Sequence, residues 1–538
     1  MLSQDLILPN IIADRAWEAP DRVFLRQIGD RDYTYAELDQ LADKFAGGFA
    51  RAGIGRDDRV LTMSPPRLEW LCAWLGLARL GAVDVAVNTG FRGKMLEYVL
   101  TRAEASALLI SAEHVELLDP DLLLRAGIKL VVVIDAAEAP RLDGLTVVTT
   151  AEFLADPPPA PSLIRPNAWD TSCILLTSGT TGPSKLVQIP WGSMYSGGAW
   201  ILPSDDMTPD DVWYQPLPTF HAAARFGIYL MALGGGRVAQ RERFSLSSFW
   251  SDVREYGCTV TNMSPFAGML AAQPERPDDA DNPMRAAVIN PAPAEPERFS
   301  RRFGLRLSAS YGTSELGIPI SAGWDVSVRG ACGRPRPGWP GIQIKIVDEH
   351  DVEVLPGQVG ELVVRSSEPW GLTSGYFRNP EATAAAWRNG WFHIGDAMRQ
   401  DEEGNLYFHD RIKDAIRRRG ENISSFEVER EVNAHPSVAE SGAVAVSAAL
   451  GEDDLKVFVV PIPGSELSPE QLWQFLTENV AKFMVPRYIE LVTELPKTEA
   501  SGRIKKSELR ARGNNANTWD RERHAMATPA DAGRSPRR

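Results

Sequence analysis

The sequence predicts an α/β protein: a large N-terminal domain of βα subdomains with a small β-barrel-like subdomain, followed by a small C-terminal α+β domain. Three observations carry that prediction. Apolar segments rich in Val, Ile and Leu, at 130–134, 173–176 and 286–289, alternate with longer helical patterns at 36–52 and 67–80. Short buried strands separated by helices make parallel βα units. From about residue 330 the texture changes to closely spaced strands with Pro and Gly turns, GWPGIQIKIVDEH and then GQVGELVVRS, the pattern of a β-rich subdomain reaching to about 410. Beyond it, helical patterns at 425–434 and 469–479 alternate with strands at 442–446 and 456–461, a separate domain over 415–512.

Each element has its reason. A chain of 538 residues exceeds a single core, so residues 1–410 form one large domain and 411–414 lead out of it. After Arg512 the stretch GNNANTWDRERHAMATPADAGRSPRR has no periodicity and little to bury, which predicts a disordered tail over 513–538.

Composition excludes several classes of function. A net charge of -14, with basic residues dispersed except for Arg417, Arg418 and Arg419, opposes binding to a nucleic-acid backbone. Cys72, Cys173, Cys258 and Cys332 lie about 75 to 100 residues apart and form neither a disulfide framework nor a CxxC metal pattern. A cytoplasmic setting is expected. The most apolar helical stretch, 70–87, is broken by Arg79 and Asp84, so no membrane span is expected.

Residues 177–185, TSGTTGPSK, directly follow the apolar strand pattern. Gly179 and Gly182 let the backbone turn its amides toward an anion, while Thr177, Ser178, Thr180 and Thr181 can donate hydroxyls and Lys185 adds a compact charge. This is a phosphate-cradling loop. It is not a Walker loop, because Pro183 and Ser184 separate Gly182 from Lys185.

Further motifs accompany the loop in a fixed order: YGTSE at 311–315, GWFHIGD at 390–396, DRIKD at 410–414, RRGEN at 418–422 and LPKTEASGRIKK at 495–506. TYAEL at 34–38, GELVVR at 360–365 and GYFRNPEAT at 375–383 agree with them. With these, the sequence resembles the adenylate-forming (ANL) superfamily of acyl-CoA ligases, aryl-CoA ligases, luciferases and peptide-synthetase adenylation domains, from about Thr34 to Arg510.

The resemblance implies two half-reactions. A carboxylate attacks the α-phosphate of ATP to give acyl-AMP and pyrophosphate, and a thiol, usually that of CoA, then displaces AMP. It implies that loop 177–185 holds the β- and γ-phosphates and that Glu315 binds Mg²⁺. Ser314 stands where threonine is usual and would meet the α-phosphate, beside Thr313. Ala309, Ser310, Tyr311 and Gly312 would line the adenine. Asp396 would accept from the ribose hydroxyls, with Arg411 as a second ribose or phosphate contact. Lys413 would be the hinge of a mobile C-terminal domain, Gly420 would line the CoA channel, and Arg417, Arg418 and Arg419 could meet CoA phosphates.

His221, in PLPTFHAAARFG, matches the position beside the reacting carboxylate. Amino-acid-activating relatives place an aspartate here, and no acid lies between Thr219 and Leu230, so an α-amino acid is disfavoured. Phe220 and Phe226 could build an acyl pocket with Asn290, Pro291, Ala292 and Ile318, and the same aromatics could equally be ordinary core.

The chain departs from the family pattern at three places. The family motif PKTxxGKxxK reads PKTEASGRIKK, and alignment from Gly502 to Arg510 puts Arg503 at the catalytic lysine position. An ammonium fits between two oxyanions, whereas a guanidinium is a wide planar fork on a longer arm. Leu186 replaces the glycine usual after Lys185, and Ile394 the threonine usual before Gly395. The expectation is an acyl-CoA ligase for a bulky hydrophobic carboxylic acid, competent in thioesterification but weak in adenylation and drawing acyl-AMP from a separate ligase. Such a division would suit secondary metabolism, and the resemblance extends to ligases of diterpenoid antibiotic biosynthesis. The alternatives are an ordinary two-step synthetase, in which Arg503, Lys505 or Lys506 suffices, an enzyme loading a carrier protein, and a non-catalytic acyl-adenylate binder.

Overall fold

The computed structural model describes residues 2–155, 163–177, 184–203, 206–264, 266–290, 296–324, 326, 328, 330–336, 341–411, 415–418, 421–447, 453–496, 504 and 506–523. The chain divides into two compact units. The first comprises 1–91, 95–177 and 185–412, and the second 92–94, 178–184 and 413–538. A large domain running unbroken to 410 did not anticipate that two short segments group with the second unit. For one of them the cause is local: the Ser184 backbone N–H donates to Glu427 Oε1 at 2.9 Å.

Among the described residues of the first unit, two large sheets dominate. An eight-stranded sheet runs in the order Gly375–Tyr376, Lys185–Pro190, Thr171–Thr177, Val83–Ala86, Arg59–Met63, Ala107–Ser111, Leu130–Ile134 and Thr146–Thr149. Its members from Thr171–Thr177 onward are parallel, and the first two are antiparallel additions. The strands Ala107–Ser111 and Leu130–Ile134 are buried along their whole length and apolar at their centres, as a sheet covered by helices requires, whereas Val83–Ala86 carries the buried Asp84. A seven-stranded sheet follows the order Arg306–Ser308, Ala286–Val288, Val260–Asn262, Val212–Gln215, Arg237–Gln240, Val23–Gln27 and Asp32–Thr34.

The helices expected at 36–52 and 67–80 are Tyr35–Arg51 and Leu68–Leu80. Thr34 starts the first with a reciprocal capping box to Glu37. The two pack so closely that a Cβ at Gly76 would fall 2.6 Å from the Ala42 carbonyl oxygen. Trp70, Trp74 and Trp191 stack in the core with centroids 5.8 and 5.2 Å apart. The β-rich region is an antiparallel five-stranded sheet built from Ile342–Val347, Val359–Ser366, Trp391–Gln400, Trp387–Arg388 and Leu406–Arg411.

In the second unit, the strands Val438–Ser447, Asp453–Pro461, Tyr488–Leu491 and Trp519–Asp520 form one sheet in that order. The helices Ser425–Asn433, Pro469–Asn479 and Lys506–Arg512 accompany it. Leu509 is fully buried among Val444, Val446, Phe458 and Leu495. The last strand corrects the expectation of disorder from 513. Trp519 meets the Trp473 ring at 6.3 Å and Asp520 receives Arg487 at 3.3 Å, so two residues without periodicity are held by specific partners. Residues 524–538 lie outside the described residues.

Candidate active site

The phosphate loop joins two antiparallel neighbours: Thr177 ends one strand, Lys185 begins the next, and the two are register partners. A strand and not a helix begins at Lys185, in keeping with the spacing that excludes a Walker loop. Ser178, Gly179, Thr180, Thr181 and Gly182 lie outside the described residues. The Lys185 ammonium lies 4.3 Å from the centre of the Tyr376 ring, and Tyr376 Oη donates to Glu315 Oε1 at 3.3 Å. Glu315 is 7% exposed. Tyr376 therefore links the lysine, through its ring, to the carboxylate, through its hydroxyl.

Tyr376 had been read only as part of a motif. The pairing of Tyr376 with Val187 places it beside the strand that Lys185 opens. Gly375 makes the approach possible, with φ of 124° and no room for a Cβ, which would fall 2.6 Å from Thr383 Cγ2.

A second cluster gathers the nucleoside candidates. Tyr311 Oη donates to Asp396 Oδ2 at 2.5 Å, and Asp396 is 2% exposed. Strand pairing puts Arg411 opposite Asp396, although the Arg411 side chain lies outside the described residues. Gly395, before Asp396, donates its N–H to Glu361 Oε1 at 3.1 Å, and His393 Nδ1 lies 3.0 Å from Glu361 Oε2. Glu361 thus braces the strand that presents Asp396, where its pairing with Val359–Ser366 shifts register. Its only sequence signal was its place in GELVVR. Ala309 is buried, and a Cβ at Gly312 would fall 2.4 Å from the Gly317 carbonyl oxygen, so the strand Ser310–Thr313 can pass there only as glycine. Thr313 Oγ1 accepts from the Leu316 N–H at 3.2 Å, closing the turn in which Ser314 and Glu315 sit.

Asn290 was expected in the acyl pocket. Its side-chain oxygen accepts from Ser310 N at 2.6 Å and its amide donates to Ser310 Oγ at 3.0 Å, which ties it to the strand of the nucleoside candidates. Pro291 and Ala292 lie outside the described residues. His221 occupies the N-cap position of the helix Ala222–Gly234 with no side-chain capping bond, its ring 4.7 Å from that of Phe220. Phe220, Phe226 and Ile318 are each less than a tenth exposed and join one core with Trp191 and Tyr229. Phe226 lies against Gly197, where a Cβ would fall 2.1 Å from its ring.

Behind this wall Arg225 is fully buried. It donates to Asp84 Oδ2 at 2.5 Å and to the Thr219 carbonyl oxygen at 3.2 Å, and it stacks 4.5 Å from the Trp74 ring. Thr62 Oγ1 donates to the other Asp84 oxygen at 2.6 Å. The buried charges of Asp84 and Arg225 therefore balance each other.

In the second unit, Arg418 corrects the expectation that the whole arginine run meets CoA phosphates. It is 3% exposed, lies 3.2 Å from Asp454, and donates to the carbonyls of Val485 and Phe483 at 2.7 and 3.1 Å. Alternation along the strand Ala415–Arg418 turns it inward. Arg419, Gly420, Lys413, Arg503 and the Arg417 side chain lie outside the described residues. Lys506 donates to Ser425 Oγ at 2.6 Å and pairs with Glu429 at 2.7 Å. Burial pushes the Glu427 carboxyl up to about 7, against the pull of the Ser184 N–H.

Comparison with known proteins decides the family. The AMP-binding enzyme family matches residues 12–377, and the AMP-binding enzyme C-terminal domain matches 427–502. The chain belongs to the AMP-binding enzyme family. Crotonobetaine/carnitine–CoA ligase of Citrobacter koseri is 31% identical over 492 residues, covering 89% of this chain and 93% of that protein. The Escherichia coli ligase of the same name is 30% identical over 500 residues, with the same coverage. Among solved structures, o-succinylbenzoate CoA synthetase from Bacillus subtilis superposes with a TM-score of 0.81 at 23% identity, over 94% of this chain and 99% of that one. The amide bond synthetase McbA from Marinactinospora thermotolerans gives 0.78 at 25%, again over 94% and 99%. The chain is an AMP-forming acid–thiol ligase of the adenylate-forming superfamily.

The family implies ATP, CoA and Mg²⁺. No group of three or more His, Cys, Asp or Glu among the described residues could cage a metal, while Glu315 offers one buried carboxylate beside Lys185 and Tyr376. That fits Mg²⁺, which keeps waters and is held by one or two carboxylates plus substrate phosphates. Among the described residues, no helix is long and apolar enough to cross a membrane.

Proposed function

We propose that this ligase makes the CoA thioester of a bulky, hydrophobic, non-amino carboxylic acid, and that thioester formation outpaces its adenylation step. The observation that carries the reading is the commitment of Lys506. Of the cations near Arg503 that could replace the family's lysine, Lys506 is held by Ser425 and Glu429. Lys505 lies outside the described residues, and alignment puts Arg503 at the lysine position, with a group poorly shaped for the gap between a carboxylate and an α-phosphate. Acyl-AMP made by a separate ligase would bypass that weakness, an arrangement suited to secondary metabolism.

The roles follow from chemistry. Lys185 and loop 177–182 take the β- and γ-phosphates, with Glu315 holding Mg²⁺ that neutralises phosphate charge. Tyr311, Ala309, Ser310 and Gly312 line the base, Thr313 and Ser314 the α-phosphate, and Asp396 and Arg411 the ribose. Lys413 serves as hinge, while Gly420 and the flanking Arg417 and Arg419 meet CoA. His221 stands beside the carboxylate, with Phe220, Phe226 and Ile318 behind it. The curated relatives are named for crotonobetaine and carnitine, acids that carry a quaternary ammonium. Here Thr219 to Leu230 contains no acid and Asp84 is neutralised by Arg225, which supports an uncharged acyl group.

The test supplies purified protein with CoA and either free acid plus MgATP or synthetic acyl-AMP, over a panel of aryl, polycyclic and quaternary-ammonium acids. Acyl-CoA should appear promptly from acyl-AMP and slowly from the free acid. Prompt pyrophosphate release from the free acid would instead establish an ordinary two-step synthetase, the reading favoured by the presence of Lys185, Glu315 and Asp396.

A further inference from the structure

Asp396 lies in an irregular stretch of the strand Trp391–Gln400. Pairing with Val359–Ser366 holds Val364 to Phe392 and Val363 to His393 and resumes only where Glu361 meets Ala397, so Leu362 alone stands against Ile394, Gly395 and Asp396. The extra residues make a bulge, the device by which a strand leaves its ladder and re-aims a side chain. Gly395 allows it. Its φ is 79°, while a Cβ there would meet nothing within 4 Å, so backbone conformation and not space demands glycine.

Glu361 supplies what the ladder no longer can. Its Oε1 accepts the Gly395 N–H at 3.1 Å, and its Oε2 meets His393 Nδ1 at 3.0 Å and Arg388 Nη2 at 3.2 Å. One carboxylate therefore holds both flanks of the bulge. Arg388 also donates to Asp351 Oδ1 at 2.9 Å, and Asp351 Oδ2 accepts from Asn389 Nδ2 at 2.6 Å. Asn389 and Gly390, with φ of 52° and 76°, turn the strand Trp387–Arg388 into Trp391–Gln400. The hairpin, Asp351 and Glu361 thus form one network that ends on the amide before Asp396. The His393 side chain is 3% exposed and those of Glu361 and Asp351 are 14% exposed, so these bonds lie largely out of water, where they are stronger. From the other side Tyr311 Oη holds Asp396 Oδ2 at 2.5 Å.

We propose that Glu361 is a positioning residue for nucleotide binding: by fixing the bulge at His393 and Gly395, it aims the Asp396 carboxylate at the ribose hydroxyls. The proposal rests on the reading that Asp396 binds ribose. Glu361 acts through Asp396 and not on the nucleotide, with Arg388 and Asp351 holding it in turn. Hydrogen bonds weaken steeply with angle, so a slackened bulge costs the bonds to the sugar while contacts to base and phosphate persist.

The experiment measures the Kd of AMP and of 2′,3′-dideoxy-AMP for the full-length protein by titration calorimetry. Glu361→Leu removes both acceptor oxygens. It should weaken AMP about tenfold and 2′,3′-dideoxy-AMP, which lacks the hydroxyls that Asp396 takes, less than about twofold, so that the preference for AMP collapses. Glu361→Gln keeps an oxygen for the Gly395 N–H and should restore the preference. Arg388→Met, at a half-exposed position, should reduce it about threefold. Equal weakening of both nucleotides by Glu361→Leu, or of neither, overturns the positioning role; should that variant fail to fold, Arg388→Met decides by the same criterion. Asp396→Ala separates the two readings. If it leaves the preference for AMP intact, the ribose reading and the positioning role both fall; if it abolishes the preference while Glu361→Leu keeps it, the positioning role alone falls.

Discussion

At the scale of single residues, the site depends on groups whose partners are far apart in the chain. Tyr376 reaches Glu315, and its ring faces Lys185. Tyr376→Phe keeps the ring and removes the hydroxyl. A hydrogen bond to a charged group is worth about 1.5–3 kcal/mol, and at 3.3 Å the lower end applies, so pyrophosphate-forming kcat/KM for ATP should fall about tenfold. Steady-state kinetics with saturating acid check this. Gly197→Ala tests the apolar wall. The new methyl would collide with Phe226 at 2.1 Å, and overpacking of that kind costs about 1–3 kcal/mol, read as a lowered Tm. Residues inside a dense motif, such as Glu315 and Asp396, could be picked out from sequence because neighbours in YGTSE and GWFHIGD announce them. Tyr376, Glu361 and the supporting role of Asn290 could not, because each owes its place to strand pairing or a partner tens of residues away. Arg418 was misread because a run of three arginines looks uniform until strand alternation turns one of them inward.

At the scale of elements, periodicity located the long helices and the central strands to within a few residues, since a buried apolar face leaves a repeat in the sequence. The strand Trp519–Asp520 left no repeat, being two residues long and held by pairing with Tyr488 and Ile489, a ring contact and ion pairs. The helix Ser425–Asn433 carries a testable pH dependence through Glu427. Its folded pKa, about 7, lies above the ordinary 4.5, so the protonated acid is the form that folding favours. That contribution is fully present below about pH 4.5 and is lost as pH rises through about 7. Glu427→Gln should flatten this part of the Tm profile between about pH 4.5 and 7 in thermal scans, while leaving Tm at pH 4 nearly unchanged.

At the scale of the whole molecule, the proposed role of Arg503 predicts that one substitution separates the half-reactions. Arg503→Lys should raise adenylation by tenfold or more, on the order of 1.4 kcal/mol, and change acyl-AMP-driven thioesterification little; equal rates in both proteins would count against a role for Arg503. Stability at this scale has its own probe in Asp84 and Arg225, which join a strand of the eight-stranded sheet to the helix Ala222–Gly234. Asp84→Asn leaves a buried guanidinium without its counter-charge and should cost about 3–5 kcal/mol, seen as a shifted denaturant midpoint with unchanged m-value. Replacing both members together by apolar residues of similar volume should cost far less. The pair therefore has a history built into it. Neither member can drift alone without passing through a crippled intermediate, so in descendants of this chain positions 84 and 225 should be lost or kept as one inherited unit.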